Sequence, residues 1–286
     1  MNRRVAIGAL SALAITPIAV AQTQPRDDSS EDETPSASSS APPAPSAART
    51  FVQKDGMVFV TGGRFTFGSN DAKLAAPNEK PARDANAKSF WIDRTEVTVG
   101  AYRACVASKK CDAPAKTSPS CTFDLGDDAL PINCVRFDQA DAFCRATNKR
   151  LPTETEWELA ARGGGAFKYP WGNSASSCLV AATLLRDESG RSCTGKKPAR
   201  VGSYAANVSP FGALDMAGNV EEWTSDWYVE HPAQGEQGAP LVTSGASRVL
   251  RGGGFMSRPA DCRTSSRDWG SSIEAGANVG FRCARD

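Results

Sequence analysis

The sequence predicts an α+β domain with little regular structure. Three observations carry this: short apolar stretches near residue 60, three helical patterns between residues 98 and 165, and a remainder punctuated by Gly, Pro, Ser and Asn. No repeat with a period of about 20 to 50 residues is present. The 286 residues, 40% of them hydrophobic and 23% charged, suffice for one large domain or two small ones around a real core.

Residues 1–21 read as an export signal. Arg3 and Arg4 form a short positive head, residues 5–20 are mostly apolar, and Ala19-Val20-Ala21 fits the small-x-small rule for cleavage. The competing reading is a membrane anchor, for which the run is short and interrupted by Pro17. Residues 22–50 hold no aromatic residue and no Leu, Ile or Val, so they cannot offset the entropy of ordering; they read as a disordered Ser/Pro/acidic linker. All nine cysteines and all six tryptophans lie beyond it, which places the folded domain at 51–286.

Within that domain, residues 57–60 and 63–67 read as a hairpin turning at Gly62-Gly63. Residues 90–93 form a further strand. Thr98 caps a helix whose Tyr102, Cys105 and Val106 share a face. A second helix opens at Asp138, with Ala140, Phe143, Cys144 and Thr147 in register. Thr153 and Glu156 make the capping box of a third, which carries Trp157, Ala160 and Ala161 and stops at Gly163-Gly164-Gly165.

Composition excludes several functions. With 33 Lys and Arg against 32 Asp and Glu, the net charge is +1, which excludes the basic face of a nucleic-acid binder. A single histidine, His231, rules out a zinc site built on two or three histidines. It lies in a polar stretch and reads as a solvated loop residue. Nine cysteines in an exported chain read as disulfides, and the absence of a CxxC pair disfavours thioredoxin-like chemistry and zinc ribbons. Cys178 and Cys193 flank a compact polar insert and are expected to pair, for about 3 kcal/mol in the chain-entropy account. The odd count leaves one cysteine as a free thiol or an intermolecular link.

Five islands stand out in order: residues 150–164 (RLPTETEWELAARGG), 169–173 (YPWGN), 214–227 (LDMAGNVEEWTSDW), 249–255 (VLRGGGF) and 280–283 (GFRC). Together they resemble the formylglycine-generating enzyme family, also called sulfatase-modifying factors, over about residues 57–284. The resemblance implies a C-type-lectin-like α+β fold with little regular secondary structure. It implies calcium, and an oxidase that converts a sulfatase cysteine to formylglycine with O2 and a copper ion held by two cysteines. It also implies a bridge between Cys144 and Cys283. Cys105, Cys111, Cys121 and Cys134 can then pair among themselves, leaving Cys262 over, or can pair outside that cluster.

The copper pair is incomplete. Read forward from Arg251, the family's serine is Gly254, its first copper cysteine is Ser257 and its second is Cys262. A hydroxyl is a poor ligand for soft Cu(I). Read backward from residues 263–267, the segment is about three residues shorter, and Cys262 has no catalytic counterpart. Glu221 stands where the family usually has Trp beside the active site. The family's second calcium loop carries over as Asp215, Gly218, Val220 and Glu222, a set of oxygens that suits a hard cation; residues 179–197 do not match its other calcium loop. The expectation is an exported family member with lost or altered oxidase activity, calcium but not copper, and a calcium-stiffened scaffold that binds a protein or peptide, a sulfatase among them. The alternative is an active formylglycine-generating oxidase.

Overall fold

The computed structural model describes residues 51–183, 185, 193–195, 197–230 and 245–286. The residues expected to form an export signal and a linker, 1–50, and His231 lie outside the described residues, as does part of the stretch 179–197. One compact unit spans Arg49–Asp286.

Strands β1 (Gln53–Lys54) and β2 (Met57–Val60) are antiparallel neighbours. Asp55 (φ 53°) and Gly56 (φ 73°) turn between them, both left-handed as a two-residue hairpin of the primed type requires. This corrects the hairpin expected at Gly62-Gly63. Strand β3 (Gly63–Phe67) instead pairs with β4 (Arg83–Ala87) in a separate sheet. Gly62 is the crossing point. A Cβ there would lie 2.4 Å from the Ala87 carbonyl oxygen, so the chain passes over the segment after β4 rather than folding back. Strand β5 (Phe90–Asp93) pairs with β2 as expected of a buried apolar strand.

Helix α1 (Val99–Ala107) starts where Thr98 Oγ1 accepts from the Ala101 amide at 3.2 Å. Helix α2 (Phe137–Ala146) opens one residue before Asp138. Helix α3 (Glu154–Arg162) has the reciprocal capping box: the Glu156 amide donates to Thr153 Oγ1 at 3.1 Å, and the Thr153 amide to Glu156 Oε2 at 2.8 Å. Gly163 ends it at φ 66°.

Strands β6 (Glu221–Trp227), β7 (Ser247–Arg251), β8 (Arg267–Ser271) and β9 (Val279–Gly280) form a sheet in the order β8-β7-β6-β9, with β9 parallel to β6. Strand β10 (Ala284–Arg285) returns to pair with β5, completing the sheet β1-β2-β5-β10. Among the described residues, three small sheets and three short α-helices, joined by long connections, make the α+β fold with little regular structure.

Two apolar clusters fill the interior. In one, Tyr102 of α1 stacks on Phe143 of α2 at 5.5 Å, and Phe281 packs edge-on against both. In the other, Trp157, Ala160 and Ala161 of α3 meet Val58, Val60, Phe65 and Phe67. Four disulfides tie the loops: Cys105–Cys111, Cys121–Cys134, Cys144–Cys283 and Cys178–Cys193. Cys262 is free.

Candidate functional site

Strand β7 delivers Arg251 into the interior and then breaks at Gly252 (φ 90°) and Gly253 (φ 62°). Neither conformation suits a residue with a Cβ. The chain then runs through Ser257 into a short 3-10 turn, Pro259–Cys262. A Cβ placed on Gly253 would lie 2.7 Å from Cys262 Sγ and 3.2 Å from Ser257 Cβ. The two side chains therefore lie side by side next to Gly253. Cys262 is 1% exposed, and its Sγ lies 3.5 Å from the Arg258 carbonyl oxygen. Burial, then the charges of Glu221 and Asp261, push the Cys262 thiol well above the usual cysteine range. The same burial disfavours the free thiolate.

Asn278 organises the rest. Its Nδ2 donates to Ser257 Oγ at 3.1 Å, its Oδ1 accepts from the Met256 amide at 3.0 Å, and the Gly254 amide donates to Ser257 Oγ at 3.0 Å. A Cβ on Gly254 would fall 2.2 Å from Asn278 Oδ1. Asn278 thus fills the space a side chain at 254 would need. Glu221, at the start of β6, is half-buried and bonds the Asn278 side chain. Burial and the neighbouring Asp268 and Asp261 push its pKa up to about 8, against the Asn278 bond.

Above these groups opens a cleft of about 420 Å³, lined among others by Lys73, Glu221, Gly253, Arg258, Asp261 and Asp268. Arg258 pairs with Asp261 at 2.9 Å, and both are exposed. Tyr169, stacked on Trp171 at 4.8 Å, donates to the Pro259 carbonyl at 3.3 Å; burial and then the neighbouring Cys262 raise its pKa.

Asp215, Gly218, Val220 and Glu222 lie together on the approach to and first turn of β6. Asp215 (φ 58°) is buried; its Oδ2 accepts from the Gly202 amide at 2.5 Å, while its Oδ1 has no partner. Gly218 (φ 90°) is pinned by its amide to the Gly252 carbonyl at 2.9 Å, and Val220 is buried. Glu222 accepts three hydrogen bonds from protein donors. Arg282 grips it with Nη2 on Oε1 and Nε on Oε2, both at 2.7 Å, and Trp157 Nε1 donates to Oε2 at 2.7 Å. Three of the carboxylate's acceptor positions are thus taken by protein donors. Among the described residues, no three His, Cys, Asp or Glu side chains cluster as a metal site.

The sulfatase-modifying factor enzyme 1-like domain profile matches residues 42–286. The chain belongs to this family. The formylglycine-generating enzyme of Mus musculus is 29% identical, covering 80% of this chain and 75% of that one. The hercynine oxygenase of Mycolicibacterium smegmatis is 32% identical, covering 80% of this chain and 61% of that one. Among solved structures, PvdO from Pseudomonas aeruginosa superposes with a TM-score of 0.67 at 28% identity, over 80% of this chain and 94% of PvdO. Treponema denticola variable protein 1, at 23% identity and a TM-score of 0.61, shares the fold.

For a sulfatase-modifying factor family member, the motif arginines carry a role that sequence reasoning missed. Arg251 reaches Glu158, and Arg267 reaches Glu154 at 2.6 Å. Arg263 reaches Glu79 at 2.6 Å and Arg282 reaches Glu222. All four pairs are buried, and of their members Glu79, Arg263 and Arg267 line the cleft. Asn278 was missed too. It lies outside every motif island, and only its packing against Gly254 marks it.

Proposed function

We propose that this chain is an exported family member whose cleft above Gly253 binds a protein or peptide, a sulfatase among them, and whose copper-dependent thiol oxidation is lost or altered. The observation that carries the reading is that one buried thiol, Cys262, and the hydroxyl of Ser257, not a second thiol, flank Gly253. Cu(I) wants two soft thiolates, so copper does not fit these residues. The chain's own groups can still bind. The cleft presents Lys73, Glu221 and Asp268 to a polar partner.

Export rests on the signal-like residues 1–21, and four disulfides suit an oxidising compartment. Among the described residues no helix is long and apolar enough to cross a membrane. Calcium is part of the same proposal. Asp215 Oδ1 is a buried oxygen without a donor, as a hard cation asks.

The second reading is an active formylglycine-generating oxidase. The similarity to the Mus musculus enzyme favours it, and so does the placing of residues 257 and 262 side by side. The deciding experiment incubates the purified protein with a peptide containing Cys-x-Pro-x-Arg, with and without copper, and weighs the product. The expected result is an unchanged peptide mass. Copper-dependent conversion of the thiol to an aldehyde would establish the second reading.

A further inference from the structure

The charges lining the cleft above Gly253 do not cancel. Its three arginines are already committed to carboxylates. Arg263 grips Glu79 with Nη1 on Oε2 at 2.7 Å and Nη2 on Oε1 at 2.6 Å. Arg267 holds Glu154 with Nε on Oε1 at 2.6 Å and Nη2 on Oε2 at 3.0 Å. Arg258 holds Asp261 with Nε on Oδ2 at 2.9 Å and Nη2 on Oδ1 at 3.1 Å. Glu221 and Asp268 are the acids left over. Among the described residues, the charges that bear on Glu221 are those of Asp268 and Asp261, both of its own sign. Lys73, the remaining cation of the lining, is exposed.

Glu221 is half-buried where β6 begins, and its polar contact is the neutral side chain of Asn278. Burial and two like charges disfavour its carboxylate. A cation arriving beside it relieves both costs.

The cleft also selects the kind of cation. Asn278 bonds the Glu221 carboxyl, so the two-pronged grip of a guanidinium, as Arg267 makes on Glu154, meets a carboxyl already partly taken. A compact ammonium needs a single free oxygen. Leu74, Ala76 and Ala260 give the cleft an apolar side against which a methylene stem can lie. The volume of about 420 Å³ is ordinary for a small-ligand pocket.

We propose that the cleft takes the ammonium end of a lysine side chain presented by a protein or peptide, with Glu221 as its counter-charge and Asp268 as a second, more exposed one. This rests on the reading of the cleft as a protein or peptide site and names what that site selects.

The test passes pools of capped pentapeptides over the immobilised full chain. Flanks are randomised and the central residue is Lys, Arg or norleucine; mass spectrometry reads what is retained. The Lys pool should be retained about tenfold or more over the norleucine pool, and the Arg pool less than the Lys pool. Glu221→Gln should bring Lys retention down to the norleucine level. Asp268→Asn should lower it in part, and because Asp268 is exposed this variant tests the charge even where Glu221→Gln fails to fold. Pools that bind without preferring Lys, an Arg pool held more tightly than the Lys pool, or a Lys preference that survives Glu221→Gln would each overturn the inference and leave the peptide reading standing. Retention of no pool would overturn the peptide reading and this inference with it. Calorimetry with n-butylamine then separates the sources: a free amine that binds where no Lys peptide does makes the cleft a small-amine site.

Discussion

Asn278 and Gly254 exclude one another's side chains. The amide of Asn278 occupies the space in which a Cβ on residue 254 would sit, 2.2 Å from its Oδ1, and from there it holds Ser257 Oγ. Position 254 and position 257 are thus tied to one residue: Asn278 packs against the first and donates to the hydroxyl of the second.

Gly254→Ser should destabilise the protein by about 1–3 kcal/mol, the usual cost of overpacking. Adding Asn278→Ala should recover most of it, because the two substitutions compete for one space. Urea denaturation of both single variants and the double variant measures the coupling; simple additivity would contradict the geometry.

Ser257→Cys should raise Cu(I) affinity, since positions 257 and 262 lie side by side next to Gly253. Competition with a Cu(I) chelator reads this directly. Oxidase activity need not follow, because Gly254 and Glu221 still differ from the enzymes.

Cys262 should resist alkylation in the native protein and react on unfolding. Its thiol is buried and held protonated. Mass spectrometry after iodoacetamide treatment, with and without denaturant, tests it; rapid native labelling would show that the thiol reaches the cleft.

Glu221 should make stability depend on pH. Its pKa rises from 4.5 to about 8 on folding, so the native state favours the protonated form. That preference stabilises the fold fully below pH 4.5 and is lost as pH climbs through 8. Melting temperature should fall over that window, and Glu221→Gln should flatten the fall. An identical profile in the variant would remove Glu221 as the cause.

Arg282→Leu should cost about 3–5 kcal/mol, because it strands the buried Glu222 carboxylate. Chemical denaturation measures it. A loss well under 1 kcal/mol, the range of exposed pairs, would show that the pair is solvated.

Features written in local chemistry were legible. Thr98, Thr153 and Glu156 announced two helix starts because caps act within one turn. The Cys178–Cys193 bridge followed from two cysteines flanking a short polar insert. The true first hairpin had its own signal, Asp55-Gly56, which was passed over for the glycine pair at 62 and 63. Only the approach of the β4–β5 segment to Gly62 rules that pair out as a turn.

By itself, the sequence determined the α+β class, the family, the helix starts and the lack of a second cysteine opposite Cys262. These depend on residue identity and on neighbours a few positions away. The tertiary structure decided what the charged motif residues do. Glu222 faces Arg282 across 60 positions, and Asn219 reaches Glu96 across 123. It also decided that Asn278 fills the place of a side chain at 254. A carboxylate reads the same in sequence whether it meets a guanidinium, a cation or water. Which one it meets is set by the partner that folding brings within about 3 Å, and by the burial that makes an unmet charge costly.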